Sequence, residues 1–214
     1  MWYIVWGAAR RAHIKDWELS IVEPWGTAAP GCSALDAALR RSLFAEVASF
    51  LGQAHTVVLW DYAKFFDTVD PELLFQEAKE LNFPLGDLCL VLQMHLSPRR
   101  LQQACAIACP VFPSRSILAE CAYSIPLTRL YLKRRLAHVV SSHPDTALGV
   151  YVDDIGQSAR GSSLVVRRNI IACAFALVNV ARTLRLTMSD KYVVVSSSPY
   201  TAKLLQAKLA NIRG

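Results

Sequence analysis

The chain has 214 residues, of which 53% are hydrophobic and only 19% charged, with a net charge of +6. A chain this long buries roughly 70% of the surface its unfolded form exposes, so one large domain, or one with a small appendage, needs no disulfide or metal staple. Disorder is excluded for the bulk of it, since disordered segments are poor in apolar groups and rich in charge.

Residues 1–30 are a mixed stretch carrying Trp2, Trp6, Trp17 and Trp25 and ending in a loop-like PWGTAAPGC run. The start lacks the basic residues, apolar run and small-residue cleavage site of a secretory signal. A helix fits Ser33 to Leu51, with Ser33 as N-cap and Leu35, Ala38, Leu39, Leu43 and Val47 forming its apolar face. Thr56 to Trp60 (TVVLW), after the turn-like GQAH, is a short continuous apolar run and reads as a buried strand. Asp70-Pro71-Glu72 is a helix start, with aspartate as cap, proline in the first turn and an acid beside it. A second short helix follows Pro84, and Arg100 to Phe112 is strand-like. A long helix fits about Ala119 to Val140, with Pro126 in a break, a kink or close to the true start.

Ala147 to Val152 (ALGVYV) is another buried strand, followed by Asp153-Asp154 and a returning segment, Ile155 to Ala159. An apolar helix over Ser163 to Leu184, a strand over Tyr192 to Ser196 and an amphipathic helix to about Ile212 complete the order. The longest apolar stretch, Asn169 to Ala181, is shorter than the roughly 20 residues of a spanning helix and reads as buried core. The chain is therefore expected to be intracellular, with no signal peptide, transmembrane segment or membrane partner. The order of elements is an α+β layout, an antiparallel sheet with helices packed on one face. The six cysteines (Cys32, Cys89, Cys105, Cys109, Cys121 and Cys173) include no C-x-x-C pair and read as buried reduced thiols. Cys105 and Cys109 with His95 make only a weak metal constellation. The basic balance suits a polyanionic partner such as nucleic acid without requiring one.

Two buried strands end in carboxylates: Asp61 terminates TVVLW, and Asp153 and Asp154 terminate ALGVYV. Desolvating unpaired carboxylates is expensive, and a divalent cation between them would offset the cost. Magnesium typically takes one or two carboxylates plus substrate phosphates. Successive strand residues point to opposite faces, so Asp153 and Asp154 can share a metal only at the bend of a hairpin.

DYAKFFDTVD (Asp61 to Asp70), YVDD (Tyr151 to Asp154) and LRLTMSDK (Leu184 to Lys191) resemble motifs A, C and D of reverse transcriptases, most closely those of non-LTR retrotransposons. Their order and spacing match as well, and the resemblance covers roughly Ser33 to Ser197. It implies a polymerase palm over residues 56–214, preceded by a partial fingers segment over residues 1–55. It also implies RNA-directed DNA synthesis by a two-metal mechanism on a primed RNA (or DNA) template with deoxynucleoside triphosphates. Asp61 and Asp153 would be the principal ligands of two magnesium ions (manganese as substitute), with Asp154 assisting. Phe66 falls at the steric gate against a ribonucleotide 2′-hydroxyl. Phe65 falls where a small residue commonly sits beside the triphosphate, and Tyr151 joins these two as a nucleotide contact. Lys191 falls on the motif D lysine, a proton donor or electrostatic partner to the departing pyrophosphate. Arg10, Arg11 and Lys15 could be remnants of the basic triphosphate site of the fingers.

The match breaks in motif B, where the family carries a Gln-Gly pair. Here Ala119 replaces the glutamine and Glu120 the glycine. A side chain then enters where backbone must approach the template closely, and it brings negative charge toward phosphates. Like charges near about 4 Å repel by about 1 kcal/mol in water and about 4 at a protein surface. After Lys191 only 23 residues remain, room for a strand and a helix but not a thumb. The alternative is a catalytically silent palm that binds nucleic acid or protein. Glu120→Gly is expected to raise primer-extension turnover by about tenfold or more, at about 1.4 kcal/mol per decade; a fall would refute the alignment.

Overall fold

The structure, a computed structural model, describes residues 2–29, 31–119 and 121–213. Glu120 lies outside the described residues. Helix α1 (Trp2–Ser20) occupies the stretch that sequence left as mixed. Its buried side includes Ile14 and Trp17, and Ile21, just past its end, continues the same helical spacing. Trp17 donates its indole N–H to the Leu81 carbonyl at 2.8 Å and meets Phe83 edge-on at 4.6 Å between centroids. Arg10 pairs with Asp87 at 3.3 Å, and Arg11 donates to the Ala122 carbonyl at 2.7 Å. These two arginines therefore fasten α1 to the rest of the fold.

Helix α2 (Ala34–Phe50) begins as expected at Ser33, in a capping box. The Ser33 hydroxyl accepts from the Asp36 N–H, and the Asp36 carboxylate accepts from the Ser33 N–H at 2.7 Å. Its packing face is the reverse of the expected one. Ala37 and Ala48 are buried and Arg41 and Phe44 half-buried, whereas Leu35, Ala38, Leu39, Leu43 and Val47 are exposed.

Strand β1 (Ala54–Trp60) leads through a one-turn helix, α3 (Phe65–Thr68), to α4 (Pro71–Glu80) and α5 (Leu85–His95). Arg100 to Phe112 yields only the two-residue strands β2 (Gln102–Gln103) and β3 (Ala106–Ile107). Helix α6 (Ser124–Ser142) has Pro126 in its first turn, where its missing N–H costs nothing. Strands β4 (Ala147–Tyr151) and β5 (Asp154–Gly161), helix α7 (Ser163–Thr183), strand β6 (Val193–Ser196) and helix α8 (Pro199–Arg213) follow.

The four-stranded sheet has the order β4-β5-β1-β6, antiparallel at each pairing. This is the expected α+β class. Helix α7, flanked by α6 and α8, covers one face and buries Val166, Ile170, Cys173 and Leu177. Gln157 of β5 points into that layer, donating to the Ile170 carbonyl at 3.1 Å. The neighbouring Gly156 faces the other way and lies beneath α2. By length and composition α7, at 21 residues, could cross a membrane, although its most apolar stretch read as too short; here it is a core helix. Of the cysteines, all free, only Cys173 is buried and Cys121 half-buried; the other four are exposed, contrary to expectation.

Asp70 ties α4 to the rest. Its Oδ1 accepts from the backbone N–H groups of Glu72 and Leu73, and Arg185 donates to Oδ2 at 2.6 Å. Burial alone would push this carboxyl up, but the N–H groups of Leu73 and Glu72 together with the Arg185 guanidinium hold it below its usual range. The stability it contributes is full above the unfolded carboxyl range, near about 4, and is lost as pH falls through the lower native value. Asp70→Ala should cost about 2 kcal/mol in urea unfolding at neutral pH, and Asp70→Asn, which keeps the cap, should cost less. The gap between wild type and Asp70→Asn should close in acid.

Candidate active site

The pairing of β1 with β5 sets Trp60 opposite Ile155 and Leu59 opposite Gly156. One step further, the same register places Asp61 opposite Asp154. In turn Asp154 pairs with Tyr151 across a two-residue turn made of Val152 and Asp153. The three predicted carboxylates therefore meet at one end of the sheet, two at the ends of its central strands and one at the hairpin tip. On the far side, the Ser189 N–H donates to the Asp61 carbonyl and the Ala63 N–H to the Thr187 carbonyl, both at 2.8 Å. The motif D segment thus runs beside Asp61 before β6 begins.

The carboxylates feel one another. Asp153 is half-buried, and loss of water pushes its carboxyl up, with the charges of Asp154 and Asp61 adding to the shift. Asp154, at the rim, is raised by partial desolvation and then by Asp61, while Arg41 pulls it back. Arg41 was not foreseen. It sits on the α2 face that carries Ala37, Phe44 and Ala48, and its Nη1 lies 3.4 Å from where a Cβ on Gly156 would stand. The signal was present: positions 37, 41, 44 and 48 share a helical face, and a charge among small residues there must meet a partner.

The remaining predicted residues separate into two groups. Tyr151 is half-buried and lines, with Arg40, Arg41, Gly149 and Gly156, a cleft of about 110 Å³ between α2 and the sheet. Phe66 is half-buried, and its carbonyl accepts the Ile117 N–H at 2.8 Å, which docks the motif B-like segment against motif A. Lys191 is exposed on the segment beside Asp61, its N–H donating to Ser189 Oγ at 3.2 Å. Phe65 requires correction. Its ring is 2% exposed and packs among Tyr62, Phe66 and Tyr131, so its side chain is a core group and not a nucleotide contact.

Among the described residues no three His, Cys, Asp or Glu side chains are drawn tightly enough together to hold an ion unaided. Mutually repelling carboxylates at a strand end nonetheless fit magnesium, which takes one or two carboxylates and completes its shell with water and substrate phosphates. The Cys105, Cys109 and His95 constellation is not assembled. Instead His95 is buried, accepts the Leu118 N–H on Nδ1 at 3.3 Å, and is pushed down to about 4 by burial and then Arg99.

The antiparallel four-stranded sheet, backed by helices and with its central strands ending in carboxylates, shares its fold with solved telomerase structures. No family model matches the chain, and no curated protein sequence matches it significantly. Solved structures do. Apo telomerase from Candida tropicalis, truncated from its C-terminal domain, superposes with a TM-score of 0.64 at 8% identity, over 90% of this chain and 41% of that one. Telomerase from Candida albicans, in complex with a TWJ fragment of telomeric RNA, gives 0.61 at 13% identity, over 90% and 35%. The corresponding RNA complex from Candida tropicalis gives 0.61 at 8%, over 90% and 34%. The chain thus spans between a third and about two-fifths of the length of these proteins.

Val152, the first residue of the hairpin turn, takes φ +57°, where glycine is normal and a β-branched side chain is strained. Such strain costs about 1–3 kcal/mol, partly offset on substitution by the greater unfolded-state freedom of glycine. Val152→Gly should therefore stabilise the protein by about 1 kcal/mol, seen as a raised thermal midpoint.

Proposed function

We propose that the chain performs template-directed nucleotidyl transfer, as an RNA-directed DNA polymerase of a retroelement of the non-LTR type. The observation that carries the reading is the convergence of Asp61, Asp153 and Asp154 at the ends of β1, β4 and β5, with burial and like charge raising two of them. The RNA-bound telomerase structures support a nucleic-acid partner. The division into a partial fingers segment over 1–55 and a palm over 56–214 belongs to the same proposal.

In this reading Asp61 and Asp153 hold two divalent ions, magnesium or its substitute manganese, with Asp154 assisting. When bound, these ions supply Lewis-acid activation of a primer 3′-hydroxyl and charge stabilisation at the triphosphate. The protein does the positioning. Phe66 offers its ring to the sugar and excludes a 2′-hydroxyl, and Tyr151 walls the cleft beside the hairpin. Arg41 brings positive charge to the carboxylate rim from α2, where an anionic substrate needs it. Lys191, on the flexible end of a four-carbon stem, serves the departing pyrophosphate.

Primer extension on an oligonucleotide-primed RNA template tests this, with magnesium and all four deoxynucleoside triphosphates. Wild type should extend, and Asp153→Asn should fall below about one-hundredth of that rate, a loss of about 3 kcal/mol in transition-state stabilisation. Extension that survives Asp153→Asn would sink the mechanism. If neither protein extends, the reading passes to the silent palm, whose nucleic-acid binding Asp153→Asn would leave intact and salt would weaken.

A further inference from the structure

Helix α2 turns its large apolar side chains away from the fold. Leu35, Leu39, Leu43 and Val47 follow one another at intervals of four, with Leu39 and Leu43 57% and 60% exposed, and Phe50 at the end of the helix is 91% exposed. Soluble chains rarely leave a contiguous apolar strip of this kind in water without a partner. The sheet does not need it, because α2 already turns Ala37, Arg41, Phe44 and Ala48 toward β1 and β4.

We propose that this row is a dimerisation surface, covered by the same row of a second copy about a two-fold axis running along it. The occupant is specified by charge. At about 100° per residue, Arg40 and Glu46, three positions to either side of Leu43, stand about 60° off the row on opposite flanks. A two-fold axis along the row exchanges the flanks, so Arg40 of each copy faces Glu46 of the other, once on each side of the seam. An axis across the row would set each flank against its own like. Rows spaced by four are also the ridges that pack with an interaxial angle of about −50°, the commonest helix crossing, and that tilt brings Arg40 and Glu46 to nearly one level. Both side chains are exposed; Arg40 gives one N–H to the Pro24 carbonyl at 3.2 Å, and a guanidinium has others to give. The surface is thus self-complementary, as an isologous dimer requires.

Sedimentation velocity of the full chain over a concentration series tests the proposal, with reductant present because Cys32 is exposed. Wild type should dimerise with a dissociation constant of about 10 µM or below. Leu43→Lys, which sets two ammonium groups together on the axis, should leave a monomer. Arg40→Glu alone should weaken the dimer about tenfold or more, and Arg40→Glu combined with Glu46→Arg should restore it to within about threefold. Circular dichroism and the thermal midpoint check folding, and these exposed positions should leave both unchanged. A wild type that stays monomeric at about 100 µM would overturn the proposal, as would a dimer indifferent to Leu43→Lys or a charge exchange that fails to rescue.

Discussion

The register between β1 and β5 governs the rest of the site. Thr56, Val58 and Trp60 alternate inward and pair with Ala159, Gln157 and Ile155, which face the same layer of helices. Slipping that pairing by one residue would turn Val58 and Trp60 to the open face and push Asp61 into the core, so burial of the apolar set fixes the register. The same register then dictates that Asp61 meets Asp154 and that Asp153 caps the hairpin. Hydrophobic patterning thus places three carboxylates where electrostatics alone would keep them apart.

What keeps that arrangement tolerable comes from the opposite face. Gly149 and Gly156, paired across β4 and β5, line a cleft beneath α2, and the Arg41 guanidinium reaches across it to Gly156. Close approach brings the Arg41 guanidinium to the rim, where it partly relieves Asp154. One packing choice therefore accounts for both the charge at the site and the apolar row left outside.

Much of the fold was legible because its signals are local. Continuous apolar runs ending in charge marked β1 and β4, Ser33 and Asp70 announced their helices, and the pair of aspartates required the hairpin bend. What failed was information that lives in the partner surface. The period of α2 shows two faces, alanine-rich and leucine-rich, but the choice of which goes inward is made by the sheet it packs on. Phe65 and Phe66 are adjacent and chemically alike, yet α3 sends one fully into the core beside Tyr131 and leaves the other half-buried against its edge. Helix α1 was hidden because its buried positions are few. Arg10 and Arg11 read from sequence as solvated charges, or as remnants of a triphosphate site, but hold α1 in place. Identities of 8–13% leave little for whole-chain sequence comparison to find, whereas the folds still superpose.

The site also bears on the choice between the proposed polymerase and its alternative, a silent palm that only binds. Asp153 and Asp154 are both raised, so at neutral pH their ionised forms oppose folding, and asparagine at either position would remove that penalty. Val152 adds backbone strain at the same turn, and glycine would relieve it. These are separate costs, electrostatic and conformational, each removable by one substitution, and they coincide at a single hairpin. A palm that served only as a binding scaffold has no use for either. Chemistry does, because carboxylates held near one another are already arranged for the cations that a triphosphate brings with it, and a strained turn holds them there without reorganisation. That coincidence is what the proposed catalytic reading would draw on.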